Sequence, residues 1–457
     1  MATIYVSKTG DDGNSGTRDS PVLSVARAAK LCTENDGEII IMDNGTYNEG
    51  QIGLNNPVLT ATGITIMAET GSNGLPLVSP ILEGSGSGNT QSSAFNCAAG
   101  WTIKGITFQN YDIANSANTS VINNRSTVAG AGALTIELCT FRQISGSCIN
   151  ISNGDAGSDP GLHIIKSNTF HDILTKDTQK AIIIMATLSN DVRKAKIVNN
   201  VFYDWQPQGL SHYIIFGGHN NAAGPDTIIS HNTFGTSSIG SFAQAGTGTN
   251  FSIDSVRSKF EYNIIKDQTN VYAFADLANG EANYNIYHNV NGGAGNAPFG
   301  SSTAPTSSVN NQEIDPQLRG PLIGNSANYR LAGPSSPAFD AAIGSSDVTN
   351  DRTGVSRTTL DFTAYGTGIF DIGAFEVTGL WSAESPDELS QFGADFTINR
   401  IPNADNQRQR ALQEGNSGTI GRDVNQPPLG TAINGAVPSI IRKRPTAYKQ
   451  DSGKKGT

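Results

Sequence analysis

Charge is the scarcest ingredient of this chain. Asp, Glu, Lys and Arg make up 15% of its 457 residues, where about a quarter is ordinary for a soluble domain. The charged stripes of a long amphipathic helix or a coiled coil are therefore missing, and no Gly-x-y period points to collagen. Apolar runs are short too. The longest, Ile39–Met42 and Ala181–Ala186, fall far below the about 20 residues that a bilayer helix needs, so no membrane span is expected. Cysteine is rare, and Cys32, Cys97, Cys139 and Cys148 show no C-x-x-C spacing, which reads as small buried apolar side chains. His163, His171, His212, His219, His231 and His288 follow no H-E-x-x-H order, so no metal site is assigned to them. Neither a Gly-x-x-x-x-Gly-Lys-[ST] phosphate loop nor a G-x-S-x-G elbow occurs. Met1–Lys8 lacks a basic segment followed by an apolar stretch, and the expectation is a chain made without a Sec signal.

Glycine and asparagine are what the chain has in excess. With 51 and 43 copies they supply about a fifth of all residues, and both tolerate left-handed backbone, which favours many short strands joined by tight turns. A phrase recurs around Phe108, Phe141, Phe170, Phe202, Phe234, Ile265 and Tyr287, at separations of 33, 29, 32, 32, 31 and 22 residues. Periods of this size mean a solenoid or a propeller. Between Phe170 and Phe202 the apolar pattern predicts three strands, Ala181–Ala186, Lys194–Val198 and Val201–Asp204, with the pair Asn199-Asn200 at the bend before the last. The next repeat reads the same way over His212–Gly217, Thr227–Ser230 and Thr233-Phe234, with His231-Asn232 at the bend. Propeller blades are longer and need a fourth strand. The prediction is an all-β chain folded as a right-handed parallel β-helix of three strands per coil. Inward aromatics should stack from coil to coil, and Asn should take the left-handed corner and hydrogen-bond along the rod.

Four regions follow. Residues 1–60 form an N-terminal cap and first coils, with a short helix within Pro21–Thr33 that Ser24 caps and that turns Val25, Ala28, Ala29 and Cys32 inward. Asp11-Asp12-Gly13-Asn14 reads as an ordinary turn that misses the EF-hand pattern. Coils fill 61–314, closing coils 315–376, and 377–457 is an extended, Pro-rich arm. The first 376 residues carry a net charge of about −12 and the remainder about +2, with Arg442, Lys443, Arg444, Lys449, Lys454 and Lys455 near the end. Such an arm either solubilises the chain or lies along a partner surface. An acidic body disfavours nucleic acid.

Ile4–Thr17, Pro21, Ala28 and Gly45-Thr46-Tyr47 resemble the opening of right-handed β-helix proteins of the pectate-lyase-like superfamily. Ser336–Asp340 and Asp371–Glu376 resemble the closing motif of bacterial β-helix proteins. The superfamily includes polysaccharide lyases, glycoside hydrolases, adhesins and bacteriophage tailspikes, so the resemblance specifies fold and leaves chemistry open. A signal-free start and a C-terminal arm are similar to bacteriophage virion proteins, which are assembled in the host cytoplasm. On that reading the chain is a spike, fibre or capsid-decorating protein, which leans against an enzyme and leaves activity open. It attaches to other virion proteins through residues 377–457, with Arg442, Lys443, Arg444 and Lys449 in contact. A resemblance to tailspikes implies a homotrimer and a flank that binds host surface glycan.

The alternatives are a polysaccharide lyase or glycoside hydrolase, and a bacterial surface adhesin at the cell surface or outside the cell. For the enzyme, Asp172 and Asp204 fall on equivalent positions of adjacent coils, nominally about 5 Å apart, a spacing that suits a retaining glycosidase or a Ca²⁺ ion. His171, Tyr203, Lys180, His212 and Arg142 border the same groove, and no other cofactor is implied.

Overall fold

The computed structural model describes residues 2–375 with breaks, the longest over 50–62, 236–250, 291–306 and 354–370; residues 376–457, which hold the arm, lie outside the described residues. The described chain is the expected right-handed parallel β-helix. One sheet has ten strands, from Thr3–Val6 to Glu281–Asn283. A second has eleven, from Thr46–Asn48 to Gln312–Glu313, and a third has seven, from Phe95–Cys97 to Phe274–Asp276. Every strand pairing between neighbouring coils is parallel, and strands predicted at Lys194–Val198 and Thr227–Ser230 fall where the pattern put them.

The register explains the repeat. Phe108, Phe141, Phe170, Phe202 and Phe234 are Cα partners in succession along the second sheet. Their rings stack at 5.0, 4.8, 4.7 and 4.8 Å, which is the strand spacing itself. Ile265 and Tyr287 continue the file, and Ile103, Ile136, Ile165, Ile197 and Ile229 from the first sheet are buried within the same core. All four cysteines are buried, and none is in a disulfide.

The corner between the first two sheets divides its work between two residues. Left-handed backbone falls on the first residue of each bend, which is Asn only at Asn199: Ser167, Asn199, His231, Tyr262 and Tyr284 have φ between 56° and 58°. The following Asn168, Asn200, Asn232, Asn263 and Asn285 are fully buried and form the ladder. Each donates its side-chain N–H to the Oδ1 of the next, ending on Asn311, at 3.0–3.1 Å. Each also donates to a backbone carbonyl of the first sheet, as Asn200 does to Ile165 at 2.9 Å. An amide suits this column because it carries a donor and an acceptor in one plane, so every polar atom is satisfied without water. Cys139 stands at the head, its backbone N–H donated to Asn168 Oδ1.

The N-terminal end of the β-helix is closed by chain. Residues 16–22 pair with the free edge of Thr3–Val6, through Tyr5 N–H to the Gly16 carbonyl at 2.7 Å and Val22 N–H to the Tyr5 carbonyl at 3.0 Å. The helix Val25–Leu31 begins at Ser24, whose Oγ accepts from Arg27 N–H, and buries Val25, Ala28 and Ala29. Asp11 and Asp12 make the expected turn: Asp11 accepts from Gly13 N–H, and Asp12 from Leu23 and Ser24 N–H. At the far end Gln312–Glu313 is the last rung. The chain then turns at Gln317, pairs Leu318 with Leu331 in antiparallel sense, and returns along the outside of earlier coils. The described parts of 315–375 thus form a lateral strap and add no further parallel rung. Ala338 and Ile372, from the two stretches that resemble a closing motif, join backbone to backbone at 2.9 Å and pack on Tyr262, Ile264 and Ile286.

Candidate functional site

The outer face of the second sheet carries a column of polar side chains beside the phenylalanine file. Strand alternation turns the residue after each anchor outward, which places Gln109, Arg142, His171 and Tyr203 one above another. Arg142 Nε donates to Gln109 Oε1 at 2.7 Å. Gln109 and Asn110 both donate to Glu83 on the preceding rung. His171 stacks on Tyr203 at 4.8 Å with an interplanar angle of 2°, and its Nδ1 donates to Asp172 Oδ2 at 3.1 Å.

The next residue along forms a second left-handed corner. Asn110, Gln143, Asp172, Asp204, Asp267 and Asn289 have φ from 50° to 57°. Short polar residues are the L-residues that visit this region most readily, so the backbone alone accounts for acids here. The strand at Val201–Phe202 stops short of the predicted Asp204, and a separate strand, Trp205–Pro207, follows it. Asp172 and Asp204 do occupy matching positions on successive rungs, flanked by the pairs Phe170 with Phe202 and Ile173 with Trp205.

The His171 hydrogen bond, with the charges of His171 and Arg142 and against partial burial, holds the Asp172 carboxyl below the usual carboxylate range. A hydrolytic pair needs one carboxyl raised so that it can protonate a leaving group. Asp172 is held in the opposite state and suits the carboxylate partner only. Among the described residues no three His, Cys, Asp or Glu side chains converge to hold a metal ion.

Tyr203 stands in the same column, stacked on His171, but is only 3% exposed, and burial pushes its hydroxyl well above the usual tyrosine value. Its cover comes from residues that sequence reasoning missed. Tyr329 of the strap stacks on Tyr203 at 4.9 Å. Arg352, also from the strap, is 3% exposed and donates to the Asn168 carbonyl and to Thr169 Oγ1. Burial pushes its guanidinium down to about 10, with Tyr203 acting the other way. One signal for Tyr329 was present: Gly235 interrupts the outward column, and a glycine inside a strand pattern marks close approach of another group. Lys180 and His212 lie outside the described residues, as do Arg442, Lys443, Arg444 and Lys449.

Fold and flank together define a parallel β-helix protein with a solvent-facing polar ladder that a strap closes at one end. The chain belongs to the family described as protein of unknown function (DUF1565), which matches residues 8–314. No curated protein matches it. Among solved structures it is similar to a rhamnogalacturonan lyase, at 11% identity over 72% of this chain and 95% of that one, with a TM-score of 0.36. It is similar to pectate lyase Pel9A at 14% identity over 83% and 97%, TM-score 0.29. It is also similar to the GH136 lacto-N-biosidase from Eubacterium ramulus at 12% identity over 68% and 67%, TM-score 0.27.

Proposed function

We propose that this protein is a structural β-helix that binds glycan along the outer face of its second sheet. The observation that carries the reading is the ladder of Glu83, Gln109, Arg142, His171 and Asp172. It offers planar donors and acceptors on every rung, each oriented by a neighbour and each at least partly open to water. Sugar hydroxyls are recognised by such pre-positioned bidentate groups, and orientation paid for in the free protein is not paid again on binding.

A glycan array followed by calorimetry tests this. Arg142→Ala and Asp172→Asn should each weaken a bound glycan by about tenfold, the worth of one charge-assisted hydrogen bond. Unchanged affinity in both proteins would sink the assignment. A lyase or hydrolase is the alternative, supported by the ionised Asp172 beside Arg142. Release of unsaturated or reducing ends, lost in Asp172→Asn and Asp204→Asn, would replace binding by turnover.

We propose further that the chain is carried on bacteriophage particles: an acidic body and a basic end suit an arm, residues 377–457, that docks on other virion proteins, with the chains grouped as trimers. Mass spectrometry of purified bacteriophage particles checks it, and absence from intact particles leaves the adhesin reading in its place.

A further inference from the structure

The polar ladder is open in one direction and walled in the other. Glu83, Gln109, Arg142 and His171 are partly exposed, and Asn48 on the rung before Glu83 is exposed. Tyr203, next in the column and facing the same way, is buried. The strap makes the difference. The Tyr329 ring takes the space of the side chain that Gly235 lacks: a Cβ on Gly235 would lie 1.8 Å from Tyr329 Cε1. Ala374, Phe375 and Leu318 pack against the Tyr203–Tyr329 pair, and the Arg330 guanidinium lies 5.1 Å above the Phe375 ring.

This wall is fastened along several coils. Arg352 reaches Asn168 and Thr169, Asn199 Nδ2 donates to the Asn350 carbonyl at 2.7 Å, and Ala374 N–H donates to Thr233 Oγ1 at 3.1 Å. Gly373 N–H donates to the Tyr262 carbonyl at 2.9 Å, with left-handed φ of 102° that lets the strap lie against Ile264. A strap held at four coils by a buried guanidinium and backbone hydrogen bonds does not lift at the cost of one contact.

We propose that the groove is a dead end, so that the site takes the ends of glycan chains and not internal stretches of a polymer. This deepens the glycan reading above and rests on it. The four rungs from Glu83 to His171, which carry the hydrogen-bonded ladder, leave room at about 4.8 Å each for about four sugar rings between the wall and the Asn48 rung. A longer chain gains nothing on the walled side, because its further rings would have to occupy the volume of Tyr329 and Phe375. An internal stretch that follows the ladder along the stacking axis cannot place a ring against His171 without running into the same wall. The ring that abuts it must therefore be terminal.

A length series on the full chain decides the matter. The probes are linear cello-, xylo-, malto- and β-1,3-gluco-oligosaccharides from disaccharide to octasaccharide, with cyclodextrin and cyclic β-1,2-glucan as sugars without ends. Affinity for the linear series that binds should climb about tenfold or more up to the tetrasaccharide and change less than about twofold beyond it, while the rings are not held. Affinity that keeps rising to the octasaccharide, or a ring held as tightly as its linear counterpart, overturns the dead end and leaves glycan binding standing. Binding of no probe overturns both. Tyr329→Ala supplies an independent arm: thinning the wall should extend the plateau beyond the tetrasaccharide, and if that protein does not fold the wild-type series decides alone.

Discussion

Tyr329 and Gly235 are complementary: the ring of one occupies the volume that a side chain on the other would fill, and thereby extends the His171–Tyr203 stack by one member. The relationship joins residues 94 apart in the chain and locks the returning strap to the coil it passes.

Gly235→Ala should cost about 1–3 kcal/mol in urea unfolding, the usual penalty for overpacking. The penalty should vanish when Tyr329 is also alanine, because the clash partner is gone. Additive costs in the double variant would show that the two sites are not coupled.

The asparagine ladder predicts a larger loss. Asn200→Ala leaves the Ile165 carbonyl and the Asn168 N–H groups without their buried partner, and the expected loss is about 3 kcal/mol. Asn200→Asp should do little better, since a carboxylate keeps the acceptor but loses the donor to Ile165 and Asn232. Thermal unfolding of the pair gives the comparison.

Phe170 sits mid-file between Phe141 and Phe202 with no exposed surface. Phe170→Ala should cost about 3–5 kcal/mol and Phe170→Leu under half of that, because leucine refills most of the volume. Equal losses would mean that stacking geometry, not packed volume, dominates the core.

Acid should weaken a contact on the first sheet. Glu137 bridges Lys104 at 2.8 Å and Lys166 at 2.9 Å across three rungs. Burial raises its carboxyl, but the two lysines outweigh burial and hold it below the ordinary glutamate range. A carboxyl lowered on folding contributes stability above its unfolded value and loses it as pH falls through the folded one. The stability gap between wild type and Glu137→Gln should therefore be full at neutral pH and close as the solution is acidified below about pH 4. A gap constant across that range would remove Glu137 from the pH response.

The coil itself was legible in the chain. Spacing of Phe141, Phe170, Phe202 and Phe234, and the Asn that recurs just before the anchor strands, determined a stacked parallel β-helix, because neighbouring rungs repeat the same local geometry and a repeat writes that geometry into the sequence many times over. Helix start at Ser24 was equally local. What one coil could not reveal was the division of the corner between an αL residue and a ladder amide, since both are asparagine at Asn199-Asn200, whereas Ser167-Asn168, His231-Asn232, Tyr262-Asn263 and Tyr284-Asn285 separate the roles. The tertiary structure alone decided the strap. Tyr329, Arg352 and Ala374 have no periodic partner, and their contacts with Tyr203, Asn168 and Thr233 cross more than a hundred residues in each case. Contacts made once, at long range, leave no rhythm along the chain, so burial of Tyr203 and the blocked end of the groove follow from packing and not from pattern.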